Sequence, residues 1–303
     1  MDKFLVAAAQ VAPAFLDLSR GIDIACEWIA KAGREDVKVL VFPETWLPGY
    51  PVWLDNAPNA ALWDHPPAKA LFSRLLANSP AIDSPEIQRL CEAAAEAQVT
   101  VVMGLQELDG KTLYNSMLYI SAEGEIAGVH RKLIPTYTER LLWGRGDGST
   151  LTVIDTPQGR LGGLVCWEHW MPLARQAMHN QNELLHAAVW PSVNEAHMLA
   201  SRSYAFEGRC YVIAAGSVLR REHLPEGLEL LNDMPGDGPW MTGGSTVIGP
   251  DGKHLIEPVY DEEALVIAEI DPQRAMQESM TLDVSGHYSR PDVFQLTINE
   301  EPQ

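Results

Sequence analysis

The chain has 303 residues, 46% of them hydrophobic, which suffices for a substantial core and excludes a disordered polymer. Its 41 acidic against 22 basic residues give a formal charge of −19, which disfavours nucleic acid and anionic membranes as partners and suits neutral or cationic small molecules. Four separated cysteines (Cys26, Cys91, Cys166, Cys210) without a C-x-x-C pair argue against a disulfide scaffold or structural zinc. No run approaches the ~18 apolar residues of a membrane span, and the N-terminus lacks the charged start of a signal peptide, so the cytoplasm is the expected compartment.

Residues 3–11 are apolar and strand-like, and Pro13 ends them. Over 19–33, Ile22, Ala25, Cys26, Ile29 and Ala30 share one helical face, with Gly33 placed as the C-cap. The run VKVLVF at 37–42 predicts a buried strand leading into Pro43 and Glu44. A proline- and aromatic-rich stretch, 45–67, follows, and a loop of that length in a compact fold is usually functional. Helices are predicted over 69–78 and 85–98, the second capped by Ser84, and a strand over 99–105. Three hairpins come next: 113–120 with 125–133 around SAEGE, 151–155 with 161–165 around TPQGR, and 244–248 with 254–258 around GPDGK. Between the last two lie a helix at 172–181, a strand at 186–190, a helix at 195–208, a strand at 211–216 and a polar loop at 220–238. A strand at 265–270 and a short helix from Pro272 close the regular structure. Strands alternating with helices and punctuated by hairpins imply an α/β fold, with mixed sheets in a sandwich and helices outside.

Three of these strands end in a chemically capable residue. In LGGLVCWEHWMPLAR an apolar run meets Cys166 at a turn before Pro172 opens a helix. Unpaired backbone N–H groups there favour a thiolate, although free cysteine in a strand is as readily a small buried hydrophobe. Glu44 follows VLVF across Pro43, and Lys132 ends a strand in HRKLIPTYTER. Singly, Glu44 reads as a loop acid and Lys132 as a solvated charge. Jointly they point to a site built beyond strand C-termini.

FPETWLPGYP, HRKLIPTYTER and GGLVCWEHWMPLAR resemble, in order and spacing, the three signature segments of the nitrilase superfamily of carbon–nitrogen hydrolases. WGRGDGS, SRSYAFEGRC and GHYSRPDVF resemble its true nitrilase branch, and the likeness covers nearly the whole chain. The resemblance implies a four-layer α-β-β-α sandwich of the nitrilase type: one catalytic domain over 1–280, and a tail over 281–303 at a homo-oligomer interface, dimer or higher. It implies a Glu44, Lys132 and Cys166 triad, with Glu139 matching a second glutamate. The implied reaction takes an organic nitrile to a carboxylic acid and ammonia through a cysteine thioimidate and thioester, with no metal or organic cofactor. A cyanide- or amide-hydrolysing relative and a catalytically silent assembly protein are the alternatives on this scaffold.

The chemistry suits those residue types. A nitrile carbon is a weak electrophile and calls for a sulfur nucleophile. Glu44 is placed to take the thiol proton and activate water, and Lys132 to face the charge developing on nitrogen, with a backbone N–H near Trp167. Glu139 either shares the proton of Lys132 or simply pairs with it. Tyr50, Tyr137, Trp167 and Trp190 are expected as substrate-pocket walls. His169 is expected in a supporting place, Glu168 as an acid at a helix start, and His179, His186 and His197 in packing or surface roles, since their spacing fits no metal site. His287, in GHYSRPD, receives no chemical role.

Overall fold

Strand β1 (Phe4–Gln10) shows how the layers arise. In the computed structural model, which describes residues 2–303, Val6 and Ala8 of this strand face one core while Ala7 and Ala9 face another. Both faces of the strand are therefore apolar, as a strand between two layers requires. Met1, included in the expected domain, lies outside the described residues. The chain continues through α1 (Leu18–Arg34), β2 (Val37–Val41), α2 (Trp53–Asn56), α3 (Pro66–Ala77), α4 (Pro85–Ala97), β3 (Thr100–Asp109), β4 (Thr112–Ile120) and β5 (Ile126–Arg131). The second half holds β6 (Ile154–Thr156), β7 (Gly159–Val165), α5 (Pro172–His179), β8 (Leu185–Val189), α6 (Glu195–Gly208), β9 (Tyr211–Ala215) and β10 (Val218–Leu219). It ends with α7 (Glu229–Asn232), β11 (Met241–Ile248), β12 (His254–Tyr260), β13 (Ala264–Ile270) and α8 (Pro272–Glu278).

The first sheet runs β13-β1-β2-β3-β4-β5, and the second β10-β11-β9-β8-β7-β6, with β12 paired to β11. β1, β2 and β3 pair in parallel, as do β7, β8 and β9, while the three expected hairpins are antiparallel. Val39, Val102, Met117 and Tyr119 of the first sheet pack in one core with Leu164, Ala187 and Val247 of the second. Leu40, Val101 and Leu118 turn to the opposite face, under α1 and α4. α5 and α6 contribute Ala174, Met178, Ala200 and Tyr204 on the far side of the second sheet. This is the expected four-layer α-β-β-α sandwich.

Several local expectations change. α1 buries Ile22, Ala25, Ile29 and Ala32, and each isoleucine stabilises the packing by about 1.5–3 kcal/mol. Gly33 does not end it; the helix runs to Arg34 with Glu35 as cap. A Cβ at Gly33 would stand 2.9 Å from the Ala97 carbonyl oxygen, so this glycine serves the close approach of α1 to α4. β3 extends to Asp109 and forms a further hairpin with β4. The polar window 220–238 is not wholly loop: Leu230, Leu231 and Met234 are buried with Trp53, Leu71 and Trp143 in a third core beside the long 45–67 stretch. Two adjacent leucines make no periodic signal, so only their tertiary partners reveal them. Among the described residues, no helix is long and apolar enough to cross a membrane, and all four cysteines are free.

Candidate active site

Beyond β2 the chain turns at Pro43 and lies against β3. Phe42 N donates to Val102 O (2.8 Å) and Leu47 N to Gly104 O (3.1 Å). A Cβ at Gly104 would stand 1.9 Å from the Pro43 carbonyl oxygen, so only glycine lets this turn settle. Glu44 is thereby buried, and its Oε1 accepts from Asn115 Nδ2 at 2.6 Å and Lys132 Nζ at 2.8 Å. Its Oε2 is buried with no hydrogen-bond partner among the described residues. Lys132 follows β5 and is held by its main chain, its N–H on Asn115 O and its carbonyl under Gly146 N. Its Nζ also donates to Glu139 Oε2 at 2.7 Å. Glu139 comes from the short turn Tyr137–Leu141, and it accepts from Thr136 N (2.6 Å) and Tyr50 Oη (2.9 Å). Cys166 follows β7 and opens the short turn Cys166–Trp170, with its thiol and carboxylate oxygens of Glu44 and Glu139 all within 4.8 Å of one another. The cation among them is the Lys132 ammonium. Thr45, Tyr137 and Cys166, each beside this cluster, adopt positive φ (42°, 44° and 53°), a backbone cost that surrounding structure must offset.

The electrostatics assign protons. Burial raises Glu44 to about 7; Lys132 opposes that rise and Glu139 adds to it. Burial works against the Lys132 charge, but Cys166 as thiolate, Glu44 and Glu139 outweigh it and hold its pKa above the usual range. Burial also pushes the Cys166 thiol well above its ordinary value, with Glu44 pushing the same way and Lys132 opposing. Burial and the neighbouring carboxylates therefore work against the thiolate that the strand-end N–H groups were expected to favour, and Lys132 works for it. Glu44, poised near neutrality with a free oxygen, is the group able to take the thiol proton.

Glu168 has a larger part than an acid at a helix start. It is buried and accepts from Val165 N (2.7 Å), Leu133 N (2.8 Å) and His130 Nε2 (3.0 Å). One carboxylate thus ties the residue before the nucleophile to the residue after Lys132, across the two sheets. His130 lowers the Glu168 pKa against the effect of burial. His169 donates from Nδ1 to the Cys166 carbonyl oxygen (2.7 Å), a supporting place as expected. The signal for both is only their i+2 and i+3 spacing from a cysteine; their partners His130 and His186 lie on other strands.

A cavity of about 310 Å³ opens onto Cys166 and Glu139, walled by Tyr50, Tyr137, Trp167 and His197. Trp190 is not among its lining residues. It is fully buried, stacked between His197 (4.3 Å) and His169 (4.7 Å), and its Nε1 donates to Ser201 Oγ. Only its carbonyl oxygen serves the site, accepting from Glu44 N at 3.2 Å. His197, expected in packing, stands at the cavity in its stead, in the first turn of α6. Asp55, Thr138, Asn194 and Trp240 were not foreseen at this cavity; they come from α2, the turn Tyr137–Leu141, the start of α6 and the segment before β11. His287 is far more exposed and bonds to Asp283 Oδ2 at 2.6 Å, away from this cluster's residues.

Residues 5–277 match the family model for carbon–nitrogen hydrolase. The chain belongs to the carbon–nitrogen hydrolase family. This hydrolase is 38% identical to a nitrilase of Pseudomonas syringae, covering 98% of this chain and 90% of that one. It is 37% identical to an aliphatic nitrilase of Sinorhizobium fredii, covering 100% and 98% respectively. Among solved structures, the carbon–nitrogen hydrolase of Helicobacter pylori superposes with a TM-score of 0.68 at 22% identity, over 92% of this chain and 93% of that one. At that identity the superposition speaks for the fold.

Proposed function

We propose that this hydrolase is a nitrilase, converting an organic nitrile and two waters to a carboxylic acid and ammonia. One observation carries the reading: a lysine ammonium bonded to two buried carboxylates, beside a cysteine thiol at the floor of an aromatic-walled cavity. In this reading Glu44 takes the Cys166 proton as sulfur attacks the nitrile carbon. Lys132 and the N–H of Trp167 stabilise the charge arriving on nitrogen, which becomes a thioimidate once protonated. Glu44 then deprotonates a water that adds to the same carbon. Ammonia leaves, and a thioester remains. A second water, activated the same way, releases the acid and returns the thiol. Glu139, held by Tyr50 and Thr136, fixes the ammonium between attacking and departing groups.

Tyr50, Tyr137 and Trp167 are assigned to the substrate's side chain, and the aromatic walls support organic nitriles over cyanide. The same reading takes residues 1–280 as one catalytic domain, 281–303 as a tail at an interface, and the protein as a cytoplasmic homo-oligomer, dimer or larger. Exposed Tyr288, Val293 and Phe294 in the tail support the interface. The test is ammonia release from a nitrile panel by the native protein and Cys166→Ala. Native turnover that disappears in the variant is expected. Equal release by both ends the mechanism, and amide turnover without nitrile turnover reassigns the enzyme as an amidase.

A further inference from the structure

Behind Cys166 lies a chain of buried groups that the mechanism above does not use. Tyr204, Glu183, His186 and His169 are all buried. The Tyr204 hydroxyl donates to Glu183 Oε1. Glu183 Oε2 is 3.0 Å from His186 Nδ1, and His186 Nε2 is 3.0 Å from His169 Nε2. His169 Nδ1 is 2.7 Å from the Cys166 carbonyl oxygen.

With both rings neutral, the far end determines the order of donors along this chain. A carbonyl oxygen only accepts, so His169 Nδ1 carries a hydrogen. A neutral His169 then presents a bare Nε2, and the hydrogen between the two rings belongs to His186 Nε2. A neutral His186 in turn presents a bare Nδ1, and the hydrogen between it and Glu183 belongs to the carboxyl group. We propose that Glu183 is a buried neutral carboxylic acid that sets the tautomers of His186 and His169 and so holds the Cys166 main chain in its left-handed conformation. Glu183 is a positioning residue; it touches neither substrate nor thiol.

The surroundings agree with neutral members. Burial, then the neighbouring His186, lowers His169 to about 3, and burial lowers His186 further below the ordinary histidine value. Burial raises Glu183 to about 7, opposed by His179 and Tyr204. The groups facing Glu183 come from several elements. From α5, His179 Nδ1 is 3.9 Å from Oε1, beyond hydrogen-bond reach, and its Nε2 is 3.6 Å from Glu207 of α6. Arg175 pairs with that Glu207 at 2.8 Å. Tyr119 of β4 and Cys210 before β9 also face Glu183, and Glu168, His130 and His197 stand around the two rings. Room for the carboxyl comes from the nucleophile's own strand: a Cβ at Gly162 would stand 2.1 Å from Glu183 Oε2.

The assignment rests on the proposed function only for its effect on turnover, so its test has a readout that needs no substrate. Nitrogen NMR of protein labelled in histidine is expected to show neutral His169 protonated at Nδ1 and neutral His186 protonated at Nε2. In Glu183→Gln the amide nitrogen donates to His186 and the amide oxygen accepts from Tyr204. Both tautomers are expected to persist, with kcat within about twofold of native. In Glu183→Leu the donor is gone, and kcat is expected to fall about tenfold with KM changed by less than about twofold. A cationic ring, or His169 protonated at Nε2, in the native protein overturns the proposal. So does a Glu183→Gln variant that loses as much kcat as Glu183→Leu. Should the leucine variant not fold, the tautomers of the native and glutamine proteins decide. A protein with the expected tautomers but no nitrile turnover retains this chain of bonds and loses only the nitrilase reading.

Discussion

Glu44 and Cys166 hold one transferable proton between them, and burial decides where it rests. With Glu44 raised to about 7 and the thiol well above its usual value, the competent form has an ionised Glu44 beside a neutral thiol. Protonating Glu44 removes the base, so kcat/KM is expected to fall as pH drops through about 7, measured as the acid limb of its pH profile. Glu44→Gln is expected to lower kcat by roughly 10²–10⁴-fold at every pH. Lys132 is the counter-charge to two buried carboxylates. Lys132→Met leaves them facing each other unpaired, and a loss of about 3–5 kcal/mol is expected in denaturant unfolding, together with activity. An unchanged midpoint would show that the carboxylates share a proton without the ammonium.

At the level of elements, the site depends on how tightly turns sit on strands. Gly104 lies in the middle of β3, where propensity disfavours glycine, because the Pro43 carbonyl passes over it. Gly104→Ala must push the 43–47 turn away and carry Glu44 with it. Activity is expected to be lost while the four-layer fold remains, read by circular dichroism beside the turnover assay. Glu168 joins β7 to the segment after β5 through two backbone N–H groups and His130. Glu168→Ala strands all three donors, and a destabilisation of about 3 kcal/mol or more is expected, with loss of turnover. The sequence motif made Glu168 visible as a residue beside the nucleophile. It did not reveal the bond to Leu133, because that partner is 35 positions upstream.

Over the whole molecule, buried carboxyls give stability a pH dependence. Glu44 and Glu183 both have folded pKa values raised from 4.5 to about 7. Their contribution is therefore fully present below about 4.5 and is lost as pH rises through about 7. Glu207 runs the other way: the neighbouring His179 ring and the Arg175 guanidinium lower it to about 2, so its contribution is present above about 4.5 and is lost as pH falls through about 2. The Tm is expected to decline from about pH 4.5 to about pH 7, and Glu183→Gln, which cannot ionise, is expected to flatten part of that decline. Under the proposed homo-oligomer, exposed Leu173 on α5, Leu199 and Phe206 on α6, and Met276 on α8 are the apolar side chains that an interface on this outer layer would cover. Leu199→Asp is expected to yield a smaller species by sedimentation, and an unchanged mass would count against that surface.

The fold class was legible because it rests on local signals. Apolar runs of strand length, helical faces such as that of Ile22 and Ile29, a capping Ser84 and three turn sequences together specify alternating layers, and each of these is short-range physics. Glu44, Lys132 and Cys166 each stand near the end of a predicted strand, but it was the resemblance of their three segments to the nitrilase signatures that joined them as a triad. What only tertiary structure decided is which groups meet and in what protonation state. Trp190 and His197 exchanged their expected places because the face a side chain takes at a strand end depends on the helix packed above it. The thiol's proton, the bridging role of Glu168, and the donor order from Glu183 to the Cys166 carbonyl follow from burial and from contacts between residues distant in the chain. No local pattern encodes those quantities, since desolvation and hydrogen-bond polarity exist only once the layers have closed.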